Sequence, residues 1–165
     1  MEFAQSATLL AATFLMGHMA GLFYTWAHDV MPGLGRSDDR TFVAGFQALD
    51  KAIINPWFLA GFTGAPLLTA AAALLQLGED DRTIFTWTLA ALLLYGAVIG
   101  ITRSVHLPLN ADIQAAGDPD QIADLAAVRE WFEARWVRWN LVRTFACAAA
   151  FGCLLWALVL FGRGQ

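Results

Sequence analysis

Four long apolar stretches constrain the fold of this 165-residue chain more than any other feature of its sequence. They cover about 3–27, 56–77, 83–105 and 139–161. Each is close to the roughly 20 residues that a helix needs to cross a hydrocarbon core about 30 Å thick. Charged residues make up 15% of the chain, against about a quarter in soluble domains. The sequence therefore predicts an all-α fold, a four-transmembrane-helix bundle that forms one integral membrane domain, 1–165.

The basic residues predict an orientation in the membrane. Eight of the ten lie in or beside the two long connections, which follow the first and third stretches, and only Arg82 and Arg163 lie opposite. Because Lys and Arg accumulate on the cytoplasmic side, we expect both long connections in the cytoplasm and both termini outside, in a bacterial inner membrane. The first stretch is long for a signal sequence, so we expect it to be retained. The net charge of −4 and the lack of a basic run exclude nucleic acid as a partner.

Capping residues and helix breakers predict where the helices begin and end. An amphipathic helix is expected to begin near Asp39. An additional interfacial helix is expected at about 121–138, capped by Asp120 and running directly into the last span. Proline and glycine are expected to end or break the other helices at Met31–Gly35, Asn55–Pro56 and Pro108.

Costly polar residues stand at the start of the last span. At 100° per residue, Glu133, Trp136, Asn140 and Arg143 share a helical stripe about 80° wide. A bilayer tolerates such groups where they face a bundle interior or a watery cavity, so the stripe indicates a site. Arg143 needs a carboxylate, carbonyl groups or a ligand. The candidate carboxylates are Glu133, Asp29 and Asp112.

Polar residues from the other spans crowd the same side of the membrane. If they face inward, they form one polar pocket under an aromatic lid. Such a pocket suits a flat, apolar, phenolic or carbonyl-bearing molecule that arrives through the bilayer. Each residue also has a simpler interpretation, as an interfacial anchor, a turn residue or a group that faces water. The candidates are His18, Tyr24, Thr25, His28, Asp29, Asn55, Tyr95, Thr102, His106 and Asn110.

The three histidines leave a metal or haem site open. No two of them have the i, i+4 spacing that places two ligands on one helical face. His18 and His106 could meet across helices, as could His28 and Asp29. The sequence has no phosphate-binding glycine loop, nucleophile elbow or dinucleotide fingerprint. It also lacks the midplane charges that an ion pump or a proton-driven transporter needs.

Several motifs follow the order found in a known family. They are Gly21-Leu-Phe-Tyr-Thr-Trp26, Val30-Met-Pro-Gly-Leu34, Asn55-Pro56, His106-Leu-Pro-Leu-Asn110 and the residues Trp136, Asn140 and Arg143. Together they resemble the anthrone-oxygenase-like family of small four-helix integral membrane proteins. The resemblance covers almost the whole chain. Its most specific parts are the Pro-Leu-Asn after the third span and the Trp, Asn and Arg at the start of the fourth.

The resemblance implies an oxidoreductase, a monooxygenase that uses O2 to oxidise the methylene of an anthrone-like aromatic substrate. It implies no organic cofactor, because the deprotonated substrate is electron-rich enough to react with O2 directly. Whether a metal is bound stays an open question. His106 or His28 would be the base, and Arg143 would hold the developing oxyanion with Asn110 and Asn140. The substrate-binding residues would be Tyr24, Asn55, Asn110, Trp136 and Asn140.

Two other functions fit the same residues. A membrane redox protein would bind a metal or haem through His18 or His106, and purified protein would then carry metal or visible absorbance. A non-catalytic membrane subunit would fill the pocket with lipid and would tolerate changes at Asn140 and Arg143. A homo-oligomer is compatible with each of these functions.

Overall fold

The chain forms a bundle of four long helical runs that can each cross a membrane. The computed structural model describes residues 2–79 and 82–164, and no strand occurs among them. The four runs cover Glu2–Gly35, Pro56–Leu75, Thr83–Ala115 and Leu125–Arg163. The protein is therefore an integral membrane protein, and the predicted all-α, four-span fold is confirmed.

The described residues form seven α-helices and two π-helical turns, and all of these except the helix Asp39–Ile53 belong to the four runs. The first and third runs each consist of two α-helices joined by a π-helical turn, whereas the fourth is one helix of 39 residues. The elements in chain order are α1 (Glu2–Thr25), a π-turn (Trp26–Val30), α2 (Met31–Gly35), α3 (Asp39–Ile53), α4 (Pro56–Leu75), α5 (Thr83–Ile101), a π-turn (Thr102–His106), α6 (Leu107–Ala115) and α7 (Leu125–Arg163).

Each π-turn ends two residues before a proline, and the two turns correct two predicted helix ends. Pro32 and Pro108 each stand at the second residue after a π-turn, and the chain stays helical beyond them, to Gly35 and Ala115. A proline inside an α-helix lacks the N–H donor and crowds the carbonyl four residues earlier. A π-turn shifts the hydrogen-bond pattern by one residue and lets the helical path continue. Such turns frequently occur at functional sites.

The predicted start of α3 and the predicted break at Asn55–Pro56 are confirmed, whereas the cap predicted at Asp120 is wrong. Asp38 caps α3, and Asn55 caps α4 by accepting a hydrogen bond from the Phe58 amide at 3.0 Å. The helix expected to follow Asp120 instead begins at Leu125, where Asp124 accepts from the Ala127 amide. Asp120 is occupied elsewhere, because Arg40 Nε donates to its carboxylate at 2.6 Å. The predicted interfacial helix is thus shorter at its start and continuous with the last span.

The four spans form a ring, and α3 covers one end of it. α1 and α5 each pack against both α4 and α7, while α3 packs against α2, α6 and the first part of α7. Arg129 of α7 fastens this end: it donates to Glu133, to Asp39 and to the carbonyl oxygens of Gly35 and Ser37, all between 2.7 and 3.0 Å. We call α3, together with the parts of α2, α6 and α7 that it packs against, the cap. The cap and the ring of spans have separate apolar cores, and a cavity lies between them.

Candidate functional site

A cavity of about 240 Å³ lies between the cap and the ring of spans. Both π-turns reach it, through Trp26 from the first and through Thr102 and His106 from the second. The lining is mostly aromatic and aliphatic. Five of the predicted site residues meet here, namely Thr102, His106, Asn110, Trp136 and Arg143.

His106 presents a buried imidazole to this cavity. The residue is 1% exposed, and neither Nδ1 nor Nε2 has a hydrogen-bond partner among the described residues. Its ring packs edge to face on Trp136, with centroids 5.1 Å apart. A buried polar group without a partner costs about 1–3 kcal/mol. A ligand in the cavity that hydrogen-bonds this imidazole would offset the cost.

Arg143 presents a buried cation to the same cavity. Its Nε donates to Asn140 Oδ1 at 3.0 Å, and its Nη1 lies 3.3 Å from Thr102 Oγ1. The guanidinium carbon stands 4.4 Å from the centre of the Phe23 ring and 5.6 Å from that of Trp136. Such cation–π contacts stabilise a desolvated guanidinium by up to about 2 kcal/mol.

The carboxylate partner expected for Arg143 is absent. Within 2–79 and 82–164, no Asp or Glu forms an ion pair with it, and Nη2 makes no hydrogen bond. Of the three candidates, Glu133 is paired with Arg129, and Asp29 and Asp112 are exposed. A buried guanidinium held by neutral partners attracts an oxygen anion or a carbonyl oxygen. The cavity is where such a group can bind.

A chain of hydrogen bonds fixes the wall beside His106. Trp136 Nε1 donates to Asn110 Oδ1 at 2.9 Å, and Asn110 Nδ2 donates to an oxygen of Asp50 at 2.6 Å. Gln114 Nε2 donates to the other oxygen of Asp50 at 3.0 Å. The chain joins α3, α6 and α7 and sets the orientation of the Trp136 indole. Asn110 is therefore fixed by its neighbours, with its oxygen toward Trp136 and its amide nitrogen toward Asp50.

Asp50 is a cavity residue that sequence reasoning missed. A lone acid on an amphipathic helix normally faces water, yet Asp50 is half-buried and lines the cavity. Its spacing contained a signal, because it lies four residues after Phe46 and eight after Phe42, both of which are buried. A carboxylate on the buried face of a helix needs hydrogen-bond donors, and Asn110 and Gln114 supply them.

Asn140 lies behind Arg143 and outside the cavity lining. It is 1% exposed, and its Oδ1 accepts the Arg143 Nε hydrogen bond. The structure thus brings Asn140 together with Arg143 as a group that orients the guanidinium. A direct contact between Asn140 and a ligand stays a prediction.

The polar stripe expected on the first span faces away from the cavity. His28 and Tyr24 are exposed and stack on each other, with ring centroids 4.1 Å apart, and His28 Nδ1 lies 2.7 Å from the Tyr24 carbonyl oxygen. Thr25 and Asp29 are exposed as well. The first helical run instead buries a different set of apolar side chains against the bundle. Those side chains are Leu9, Met16, Met19, Phe23 and Trp26.

His18 and Asn55 also lie apart from His106. His18 is exposed, packs on Phe14 with ring centroids 5.1 Å apart, and lines surface grooves rather than the cavity. Asn55 caps α4 and lines one of those grooves. His18 and His106 therefore do not share a cavity. Within the part of the chain that the structure describes, no three His, Cys, Asp or Glu side chains are grouped as a metal site would require.

Comparison with known families gives the affiliation. The sequence model described as anthrone oxygenase matches residues 56–153. The chain belongs to the anthrone oxygenase family. The matched segment contains His106, Asn110, Trp136 and Arg143, whereas Asp50 precedes it. Neither the curated proteins nor the solved structures gave a match.

Proposed function

We propose that this member of the anthrone oxygenase family oxidises the ring methylene of a small aromatic ketone or phenol with O2. The observation that carries the proposal is the pairing, in one largely apolar cavity, of an imidazole without partners and a guanidinium without a carboxylate. The first can take a proton from carbon, and the second can stabilise the negative charge that results.

The cavity wall supports a flat, apolar substrate. Phe23, Phe46 and Trp136 contribute aromatic surface, and Phe58 and Phe62 add to it from α4. Offset or edge-to-face ring contacts stabilise such pairs by about 0.5–1.5 kcal/mol beyond the burial of their area. The polar groups lie together near His106, Arg143 and Asn110. A ring compound with one oxygen substituent matches this distribution.

The proposed reaction balances with one base. His106 accepts a proton from the methylene. The electron pair shifts to the oxygen substituent of the ring, where Arg143 stabilises the negative charge. The carbanionic carbon bonds to O2, and the imidazolium protonates the peroxide. His106 then removes the second proton from the same carbon, the O–O bond breaks, a carbonyl forms, and the hydroxide that leaves takes that proton. The sum is CH2 + O2 giving C=O + H2O, with the substrate as the only reductant.

Trp136 and Asn140 contribute to this reaction by positioning His106 and Arg143. Trp136 holds the His106 ring by an edge-to-face contact and is itself fixed by Asn110. Asn140 accepts from Arg143 Nε, which leaves the outer guanidinium nitrogens directed toward other partners. Preorganised donors stabilise a developing oxyanion without reorganisation during the reaction.

The proposal is tested by O2 uptake of purified protein with anthrone as substrate. We expect uptake to be lost in His106→Ala and to fall strongly in Arg143→Ala, while His28→Ala retains it. Equal rates in all three variants would show that the reaction does not take place at this site.

Because the basic residues favour it, we also propose that the cavity lies on the cytoplasmic side. Labelling of a cysteine introduced at exposed Lys51 with a membrane-impermeant maleimide, in intact cells and in inverted vesicles, tests that orientation.

A further inference from the structure

We propose that the cavity opens sideways into the bilayer and takes its ligand, an uncharged ring compound, from the lipid phase. The opening lies between the α3–α4 junction and the start of α6, and we call it the lateral mouth: Ile54, Leu59 and Leu107. The identity of the ligand as a ring compound rests on the proposed function, whereas the position of the opening rests on the structure alone.

The lateral mouth consists of side chains that line the cavity and yet are exposed. Ile54 is 59% exposed, Leu107 is 52% exposed and Leu59 is 45% exposed. A residue that lines a cavity and also reaches the surface marks the boundary between the two. All three are aliphatic, and Leu59 and Leu107 lie on helical runs that can span the membrane. A bilayer would cover an aliphatic surface on such runs with acyl chains, and that is where the proposal places the lateral mouth.

The direction toward the aqueous phase is closed by the cap. Gln47 Nε2 donates to the carbonyl oxygens of Ile113 and Gly117 at 2.7 and 3.0 Å, which ties α3 to α6. Gln114 Nε2 donates back to the Gln47 carbonyl oxygen at 3.0 Å. The ring of Phe46 lies 5.4 Å from that of Trp136 and fills the space beneath this tie. A ligand that came from this side would have to open the cap.

The direction toward the centre of the bundle is closed as well. Tyr95 Oη donates to the Phe62 carbonyl oxygen at 3.2 Å and joins α5 to α4. Tyr95 and Val98 are fully buried, and Phe23 is 2% exposed. Side chains buried to this degree leave no opening for a ring at this point. The lateral mouth is the remaining opening that the lining residues define.

A second apolar concavity adjoins the same helix. A groove of about 610 Å³ runs along α1 and α4, and Ile53 and Phe58 line both this groove and the cavity. Its other lining residues include Leu15, Met19 and Trp57. The start of α4 is thus flanked by apolar concavities on both sides. Ring compounds dissolved in the bilayer can collect there at the level of the cavity.

The chemistry of the lateral mouth selects for neutral ligands. An anion that passed Ile54, Leu59 and Leu107 would lose its hydration to aliphatic side chains, which is costly for an unpaired charge. The nearest carboxylate of the lining, Asp50, is already held by two amide donors. The substrate would therefore enter as the neutral ketone or phenol, and its negative charge would form only beside Arg143.

Photolabelling tests the lateral mouth without requiring turnover. The full chain in phosphatidylcholine nanodiscs is irradiated with benzophenone, a neutral aromatic ketone that inserts into C–H bonds, and adducts are mapped by peptide mass spectrometry. The anion 4-benzoylbenzoate carries the same photophore and is added from water. We expect adducts from benzophenone in the segments 58–62 and 106–110, and none there from the anion.

Substitutions at the lateral mouth give the decisive comparison. Leu59→Trp and Leu107→Trp should abolish the cavity adducts, whereas Leu67→Trp, on the same helix as Leu59 and 69% exposed, should leave them unchanged. All three positions face outward, so folding is retained, and size-exclusion chromatography verifies it. In the oxygen assay, Leu59→Trp and Leu107→Trp should lower kcat/KM, whereas Leu67→Trp should not.

Three results would overturn the lateral mouth. They are unchanged labelling in Leu59→Trp and Leu107→Trp, equal labelling of the cavity by 4-benzoylbenzoate, and a phospholipid that occupies the mouth and is not displaced by benzophenone in native mass spectrometry. Labelling needs no O2. An inactive protein that shows the expected labelling would therefore support the lateral mouth and contradict the proposed function. An active protein whose cavity is not labelled would contradict the lateral mouth and support the function.

Discussion

The ring of His106 meets the ring of Trp136 edge to face, with centroids 5.1 Å apart and an interplanar angle of 86°. Trp136 is fixed by the hydrogen bond from its Nε1 to Asn110 Oδ1. Packing therefore holds the imidazole while both of its nitrogens stay without partners among the described residues. A buried imidazole without partners costs stability, and a ligand that hydrogen-bonds it would offset that cost.

Replacing His106 should separate stability from activity. In His106→Leu an apolar side chain of similar volume removes two unpaired polar atoms, so we expect the free energy of unfolding to rise by about 1–3 kcal/mol. Oxygen uptake should be lost because the base is gone. Thermal unfolding in detergent and O2 uptake, measured on the same preparations, check both effects. Exposed His28→Leu is the control and should change neither. A destabilised His106→Leu variant that still consumes O2 would contradict the role of His106.

Replacing Arg143 should lower the rate of the reaction more than it lowers the stability of the fold. Arg143→Met keeps much of the packing against Phe23 and Trp136 but removes the donors. We expect kcat to fall by about 10²–10³-fold, as for loss of an oxyanion donor. Arg143→Lys keeps the charge without the planar fork and should recover part of that loss. Steady-state kinetics measure these effects, with Arg138→Met on the exposed face as the matched control. Full activity in Arg143→Met would show that the guanidinium does not face the reacting oxygen.

Asp50 and Asn110 should be energetically coupled. Their side chains are joined by a 2.6 Å hydrogen bond, and Asn110 also accepts from Trp136. In a double-mutant cycle of Asp50→Ala and Asn110→Ala, we expect a coupling of about 0.5–3 kcal/mol in the free energy of unfolding. Asp112 has an exposed carboxylate on the same helix as Asn110. The changes in the free energy of unfolding caused by Asp112→Ala and Asp50→Ala should therefore be additive. Strict additivity of Asp50→Ala and Asn110→Ala would mean that the hydrogen bond does not hold the wall of the cavity.

Oxygenation should not depend on a metal. The proposed steps use a base, an oxyanion donor and a substrate that is itself the reductant. We expect O2 uptake to persist after dialysis against a chelator, in protein whose metal content by elemental analysis is well below one atom per chain. Loss of uptake on chelation, with recovery when one metal is returned, would favour metal chemistry instead.

The last span shows how much of the site could be predicted from the sequence. Trp136, Asn140 and Arg143 stand out because polar groups interrupt an apolar helix, and their spacing places them on one face. The structure puts Trp136 and Arg143 at the cavity and Asn140 behind Arg143. The same argument failed for α1, whose apolar residues lie all round the helix. Periodicity then cannot say which side faces the bundle, so His18 and His28 were expected inside but lie outside.

The π-turns and Asp50 mark where sequence reasoning ends. A π-turn depends on one shifted hydrogen bond, which has no clear residue pattern, and proline at positions 32 and 108 therefore predicted helix ends instead of continuations. Asp50 was missed because its partners, Asn110 and Gln114, lie 60 and 64 residues away. Long-range pairing of this kind becomes visible only when the helices are assembled.

Isotope labelling under ¹⁸O2 tests the central claim most directly. Purified protein with anthrone should place one ¹⁸O atom in the new ring carbonyl and the other in water, and His106→Ala should give no product above the uncatalysed background. Carbonyl oxygen derived from water, or the same labelled product at the same rate from His106→Ala, would contradict oxygenation at this cavity.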